Sequence, residues 1–186
     1  MKTRELCLFV AVSALLSCIL LLLGRTWWCS CETLALWSGD PLSSHNSQHL
    51  LDPYSFSHLQ HGLLFYAFFW LLGRRYRGVK EWGFVAALFL EVTWEALENS
   101  SLIIDRYRTA TMSLGYYGDS IVNSLGDLAS CAIGFLLCRR FPAIVMGALF
   151  VIIEGGMMLL YRDSLLINIL MLTFPVEAIK RWQVGA

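Results

Sequence analysis

"LEVTWEALENSSLIIDRYR", residues 90–108, decides how the chain reads. It lies in an apolar run, residues 82–104, long enough to cross a bilayer, yet it carries Glu91, Glu95 and Glu98. A charged side chain at the centre of a membrane helix costs roughly 2.5–3.5 kcal/mol on insertion scales. Steps of four and three put all three carboxylates on one helical face. The run is therefore expected to be a spanning helix with one polar stripe, and a polar stripe must face a bundle interior or water.

The surrounding sequence supports a bilayer. Of 186 residues, 57% are hydrophobic and only 15% charged, where a soluble domain carries about a quarter. Mean hydropathy is +0.59. Net charge is zero, which gives no bulk attraction to nucleic acid. Residues 6–24 are an uncharged first helix; they are long for a signal-peptide core, and no small-x-small cleavage site follows. Asp52-Pro53 suits the start of a second, residues 53–73. Residues 120–138 and 141–161 are the fourth and fifth spans, and 164–176, extending toward Trp182 and bent near Pro175, a short sixth. The expected fold is an all-α polytopic membrane bundle of about six transmembrane helices, one integral membrane domain over residues 1–186.

Basic residues orient it. With the N-terminus inside, Lys2, Arg4, Arg74, Arg75, Arg77, Lys80, Arg139, Arg140, Lys180 and Arg181 face in, against Arg25, Arg106, Arg108 and Arg162 outside. This bias predicts cytoplasmic termini and a periplasmic loop over residues 25–52. Counting 1.5 Å per residue from each outer end, Glu98 lies about 9 Å deep and Glu95 about 14 Å, with Glu91 near the midplane. By the same rise His58, His61, Asn123, Asp127, Glu154 and Asn168 fall between about 6 and 12 Å. Five helices thus contribute polar groups to one layer in the outer half of the bilayer.

That layer has two readings. Amides and protonated acids can be interhelical glue, and Glu91, the deepest, fits that role best. Alternatively the layer lines a cavity open to the outside. His61, Glu95, Glu98 and Asp127 are then the candidate acid–base residues, since a carboxyl in a dry site holds its proton near neutrality while a histidine accepts one. His58, His61 and Glu95 offer ligands for a divalent metal such as zinc, although no H-E-x-x-H motif is present. Arg106 and Arg108, with Asn99 and Asn123, are the candidate substrate-binding residues for an anionic or lipid-linked ligand; Asp119 and Asp163 are candidate helix caps.

In the outer loop, Cys29-x-Cys31 with His45-x-x-x-His49 has the residue types of a metal site but a tight cysteine spacing; two cysteines outside the cytoplasm can equally be oxidised, although this pair is poorly placed to bridge without strain. Cys7, Cys18, Cys131 and Cys138 are expected to pack as apolar residues.

"SSHNSQHLLDPYSFSHLQHGLLFY" (43–66), "WEALENSSLIIDRYR" (94–108), "YYGDSIVNSLGD" (116–127) and "LMLTFPVEAIKRWQ" (170–183) closely resemble an uncharacterised family, a domain of unknown function, of small bacterial inner-membrane proteins. The resemblance covers residues 29–183 and implies a bacterial multi-pass membrane protein without supplying a reaction. A fainter likeness to VanZ-like membrane proteins rests on His61, Glu95, and Asp119 with Asn123. Three functions remain open: an enzyme, hydrolase or transferase, on a lipid-linked or envelope substrate; a proton- or ion-coupled transporter or binding protein; and an assembly subunit without chemistry. The absence of an internal repeat, and a polar layer off the midplane, favour an outward-facing site over a transporter.

Overall fold

The computed structural model describes residues 3–31, 33, 35–76 and 78–185. Lys2 and Arg77, counted above among the inward-facing basic residues, lie outside these, as does the side chain of Lys80. The described residues form eight helices: α1 (Thr3–Leu22), α2 (Ser55–Arg75), α3 (Val79–Glu98), α4 (Ser101–Ala110), α5 (Ile121–Arg140), α6 (Ala143–Tyr161), α7 (Leu165–Thr173) and α8 (Glu177–Val184). No strand is present among them; Trp37 and Leu51 meet in one isolated bridge. Three helices, α1, α5 and α6, are long and apolar enough to cross a membrane.

Helix α5 is the centre. Some 61% of its apolar stretch is buried, against 17% for α1 and α6, which lie at the periphery. The outward faces of the bundle are apolar: Ile144, Val151, Ile152 and Leu159 are each more than two-thirds exposed, while Gln60, Glu91, Glu95 and Asp127 are buried. Polar groups inside and aliphatic groups outside invert the soluble pattern and suit hydrocarbon surroundings. A smaller apolar core of Leu16, Leu20, Phe84, Leu88, Ile121 and Leu128 joins α1, α3 and α5.

Glycines set the closest helix pair. A Cβ on Gly62 of α2 would collide with the Cys131 carbonyl of α5, and one on Gly134 with the Leu59 carbonyl of α2. Gly126 is pressed in the same way against the Leu50 carbonyl of the preceding loop. Small residues let helix backbones touch where no hydrophobic force drives association.

Two expected spans differ. The run 82–104 is not one helix: α3 ends at Glu98, and Ser100, in extended backbone, precedes the separate helix α4. Asn99 causes the break. Its side chain accepts from the Asp119 backbone N–H at 2.7 Å and donates to the Asp119 carboxylate at 2.8 Å, trading helix continuation for a link to the 111–120 loop. The expected sixth span is two short helices separated at Phe174-Pro175-Val176. Nine residues of α7 rise about 14 Å, half of a bilayer core of about 30 Å. Arg162 donates to the Trp182 carbonyl and Lys180 to that of Thr109, so α8 folds back beside the start of α7 and the end of α4.

The caps follow serine. Ser120 and Ser164 accept from Asn123 and Ile167 at the starts of α5 and α7, positions expected to be held by Asp119 and Asp163. Asp52 accepts from the Tyr54 and Ser55 backbone N–H groups just before α2, the role its sequence position suggested.

The glycine contact gives a direct test. Gly62→Ala and Gly134→Ala should each cost about 1–3 kcal/mol by overpacking, read as reduced accumulation and a lower melting temperature in detergent. Gly155→Ala, where an added Cβ meets nothing within 4 Å, should leave both unchanged.

Candidate functional site

Residue spacing on three helices builds the site. His58 and His61 are three apart on α2, and Glu91, Glu95 and Glu98 lie at steps of four and three on α3. The glycine contact with α5 brings Asp127 against them. Around this end gather the segments before α2, between α4 and α5, and between α6 and α7: Ser120 donates its backbone N–H to Ser47, Gln48 donates to the Gly118 carbonyl, and Tyr54 donates to Asp163.

Glu91 sits at the middle of the cluster. It is fully buried, and its two carboxylate oxygens accept from His58 Nδ1 at 2.6 Å and His61 Nδ1 at 3.0 Å. With both Nδ1 atoms donating, the Nε2 atoms carry the free lone pairs. Asp127 Oδ2 lies 3.9 Å from His58 Nε2, while its Oδ1 accepts from Ser55 Oγ at 2.7 Å. Glu95 Oε1 is 3.3 Å from His58 Nδ1, but neither Glu95 oxygen has a hydrogen-bond partner among the described residues, and Glu98 Oε2 has none either. A buried acceptor left unsatisfied costs about 1–3 kcal/mol, and more when charged. The cluster thus has unmet demand for a proton, a water or a cation.

A chamber of about 40 Å³ adjoins these groups, lined by His58, His61, Glu98, Asp119, Asp127 and Asn168 among others. That volume holds one or a few waters or an ion, not a lipid. Two overlapping sets are close enough to share a cation: one ligand atom from each of His58, Glu95 and Glu98 lie within 4.8 Å of one another, as do those of His58, His61 and Glu91. The expected set of His58, His61 and Glu95 is thereby divided between two triads that share His58. In the second, the ligands already bond to each other. The first, with its unpartnered carboxylates, is the better fit to a metal.

Ser47, which also lines the chamber, has φ +60°, an uncommon conformation for a residue with a Cβ. It is held by its N–H donating to Asp52 and its carbonyl accepting from Ser120 and Gln48. Burial raises the Asp119 and Asp163 carboxyls to about 6, against hydrogen bonds that lower them; burial likewise raises Asp52.

The remaining candidates lie elsewhere. Asn123 donates to the His49 carbonyl and Asn99 clasps Asp119, so both tie loops to helices. Arg106 donates to the Leu172 and Thr173 carbonyls at the end of α7, and faces a separate groove of about 270 Å³ that Lys180 also lines. Arg108 is exposed. Glu154 accepts from Gln60 and from the Leu166 N–H, joining α2, α6 and α7. Glu91, expected to be the most structural of the three, bonds both histidines of α2 from α3, and its i, i+4, i+7 register with Glu95 and Glu98 was the available signal. Tyr54, Tyr107 and Tyr116 line the chamber too. From the sequence, Tyr107 and Tyr116 read as interfacial anchors, because tyrosine near a helix end suits the aromatic belt.

Sequence comparison places the chain among bacterial relatives. Residues 20–185 match the model of a family described as "Protein of unknown function (DUF2585)". A UPF0314 protein of Paracoccus denitrificans is 43% identical over 164 residues, covering 88% of this chain and 84% of its own. One from Sphingopyxis alaskensis is 46% identical over 176 residues, with 94% and 92% covered. One from Rhizobium etli is 46% identical over 182 residues, with 96% and 90% covered. No solved structure matches. On a family match over nearly the whole length, the chain belongs to the DUF2585, or UPF0314, family of bacterial proteins of unknown function.

Proposed function

We propose that this is a multi-pass inner-membrane protein whose chamber is an acid–base or metal-assisted centre for hydrolysis or group transfer on a lipid-linked or envelope substrate. The observation that carries the reading is Glu91 holding both histidines by Nδ1, which is how enzymes present a basic Nε2 to a reacting atom or a metal. His58 is the proposed base. Asp127 and Glu98 serve as partners for a water or cation, and Glu95, whose oxygens accept no hydrogen bond among the described residues, adds further acceptor capacity beside them. A chamber of about 40 Å³ admits only the reacting group of a larger substrate, or water. The substrate's body and anionic head then lie outside it, near the groove of Arg106 and Lys180.

The small chamber also suits a second reading, a proton or cation site in a transporter. The two separate experimentally. An enzyme turns over its substrate in detergent micelles, whereas coupled transport needs sealed vesicles and an ion gradient.

For topology we propose five crossings, by α1, α2, α3, α5 and α6, each 19–21 residues long. The turned-back α7–α8 unit leaves the C-terminus on the outer side with the chamber. Arg4, stacked over Trp82, and Arg139, paired with Glu5, then mark the cytoplasmic end.

Reporter fusions at residue 185 should give a periplasmic signal, and fusions at Gly78 a cytoplasmic one. A cytoplasmic signal at both would restore the six-span arrangement and remove the C-terminal part of this proposal.

Glu91→Gln, His58→Asn and Asp127→Asn should each lower activity, or complementation of the gene deletion, by about 10²-fold or more at normal abundance, the scale of a lost general base. Glu154→Gln should retain function, because an amide oxygen can still accept from Gln60 and Leu166. Full complementation by all three chamber variants at normal abundance would sink the catalytic reading.

A further inference from the structure

A second cluster lies apart from the chamber, in the loop before α2. One ligand atom from each of Cys29, Cys31, His45 and His49 falls within 4.8 Å of the others. Cys29 and Cys31 are joined by a disulfide with Cα atoms 5.2 Å apart, inside the range a disulfide allows. Of the two states the sequence left open, oxidised or reduced, this is the oxidised one. The bond does not explain the histidines. His45 Nδ1 faces His49 Nε2 at 3.3 Å, Cys29 Sγ lies 3.7 Å from His45 Nδ1, and Cys31 Sγ lies 4.0 Å from His49 Nε2. The two imidazoles stack with ring centroids 5.5 Å apart, and Trp28 packs edge-on against His49.

These separations can be compared with a tetrahedral ion. With Zn–N of about 2.0–2.1 Å and Zn–S of about 2.3 Å, two imidazole nitrogens stand about 3.3 Å apart and a thiolate–imidazole pair about 3.6 Å. Only the sulfurs are out of place, since two thiolates on one zinc stand about 3.8 Å apart by the same geometry. The Cys31 backbone N–H donates to Cys29 Sγ, the kind of outer contact that steadies a metal-bound thiolate. His49 is buried while Cys31 and His45 are half-buried, so the cluster is built in yet open to an ion.

We infer that Cys29, Cys31, His45 and His49 form a redox-gated site for a zinc-class cation, closed as the disulfide and opened by reduction. A dithiol reductant supplies two electrons and two protons: its thiolate attacks one sulfur, the Cys29–Cys31 bond breaks, and the reductant leaves as its own disulfide. Zinc then binds the two sulfurs and two imidazole nitrogens, releasing the two thiol protons. The occupied site clamps residues 29–31 to 45–49, next to Ser47 at the chamber wall.

The test uses the full chain in detergent, reduced with a phosphine, with Co²⁺ and Zn²⁺ as probes. Reduced protein should show a thiolate-to-cobalt charge-transfer band and bind one zinc that oxidised protein does not. The band should vanish in Cys29→Ser/Cys31→Ser. In His45→Ala, a half-buried position that spares the fold, affinity should fall about tenfold or more. His58→Asn, in the chamber, should leave the band intact, which keeps failure of this site distinguishable from failure of the chamber. If reduced wild type shows no such band, or if it survives Cys29→Ser/Cys31→Ser through the remaining cysteines, the inference is wrong.

Discussion

The backbone contact between α2 and α5 at Gly62 and Gly134 is the constraint on which the rest depends. Side chains of any size there would move the helices apart by more than a hydrogen bond tolerates. His58 would then lose Asp127, and Ser55 would lose the same carboxylate. In hydrocarbon, burying apolar side chains between helices gives no net transfer gain, so close backbone contact and interhelical hydrogen bonds carry the association. The glycines are therefore what allow three polar-faced helices to assemble around carboxylates that each would be costly to insert alone.

Much of this is legible in the sequence. Helical periodicity put Glu91, Glu95 and Glu98 on one face and His58 and His61 on another, and both faces meet as expected. The gathering of His58, His61, Glu95, Glu98 and Asp127 was also readable, because buried charge has few places to go, whereas Asn123 and Glu154, counted into the same layer, bond elsewhere. The absolute depths were not. Counting from residue 104 placed Glu98 about 9 Å from a helix end, whereas α3 stops at Glu98 itself. The cause is Asn99, whose bonds to Asp119 outweigh helix continuation, and the partner of an asparagine twenty residues away cannot be read from hydropathy. The small-residue series Gly126, Ser130 and Gly134 at fourfold spacing was present in the sequence and would have predicted α5 as the central helix.

The C-terminal segment was read in part: the expected bend near Pro175 is the break between α7 and α8. Residues 164–176 are apolar enough to suggest a span, but composition does not say whether a helix continues past Phe174-Pro175. Proline lacks the N–H for helix continuation, and the carbonyls left open at the end of α7 are met by Arg106. That arginine was expected to hold a ligand. It spends two donors on backbone oxygens, yet still borders a groove with Lys180. Sequence showed a residue type able to bind anions and not the competing acceptor, which folding had brought from 66 positions away.

The charge balance around Glu91 explains why the cluster is tolerated and why it is incomplete. Four acids, Glu91, Glu95, Glu98 and Asp127, surround two histidines, which carry at most two positive charges. Several like charges within hydrogen-bonding range in a dry interior cannot all ionise. Either protons reside on some of the carboxyls or a cation joins them. Glu91 is satisfied by two imidazoles and needs nothing further. Glu95 and one oxygen of Glu98 are not satisfied, and they lie beside His58, which borders a chamber wide enough for an ion or water. A purely adhesive role would be met more cheaply by amides or hydroxyls, which bond without the desolvation cost of an ionisable group. The excess of acid over base is therefore the feature that a purely structural account leaves unexplained, and it is what supports the proposed proton- or cation-handling centre.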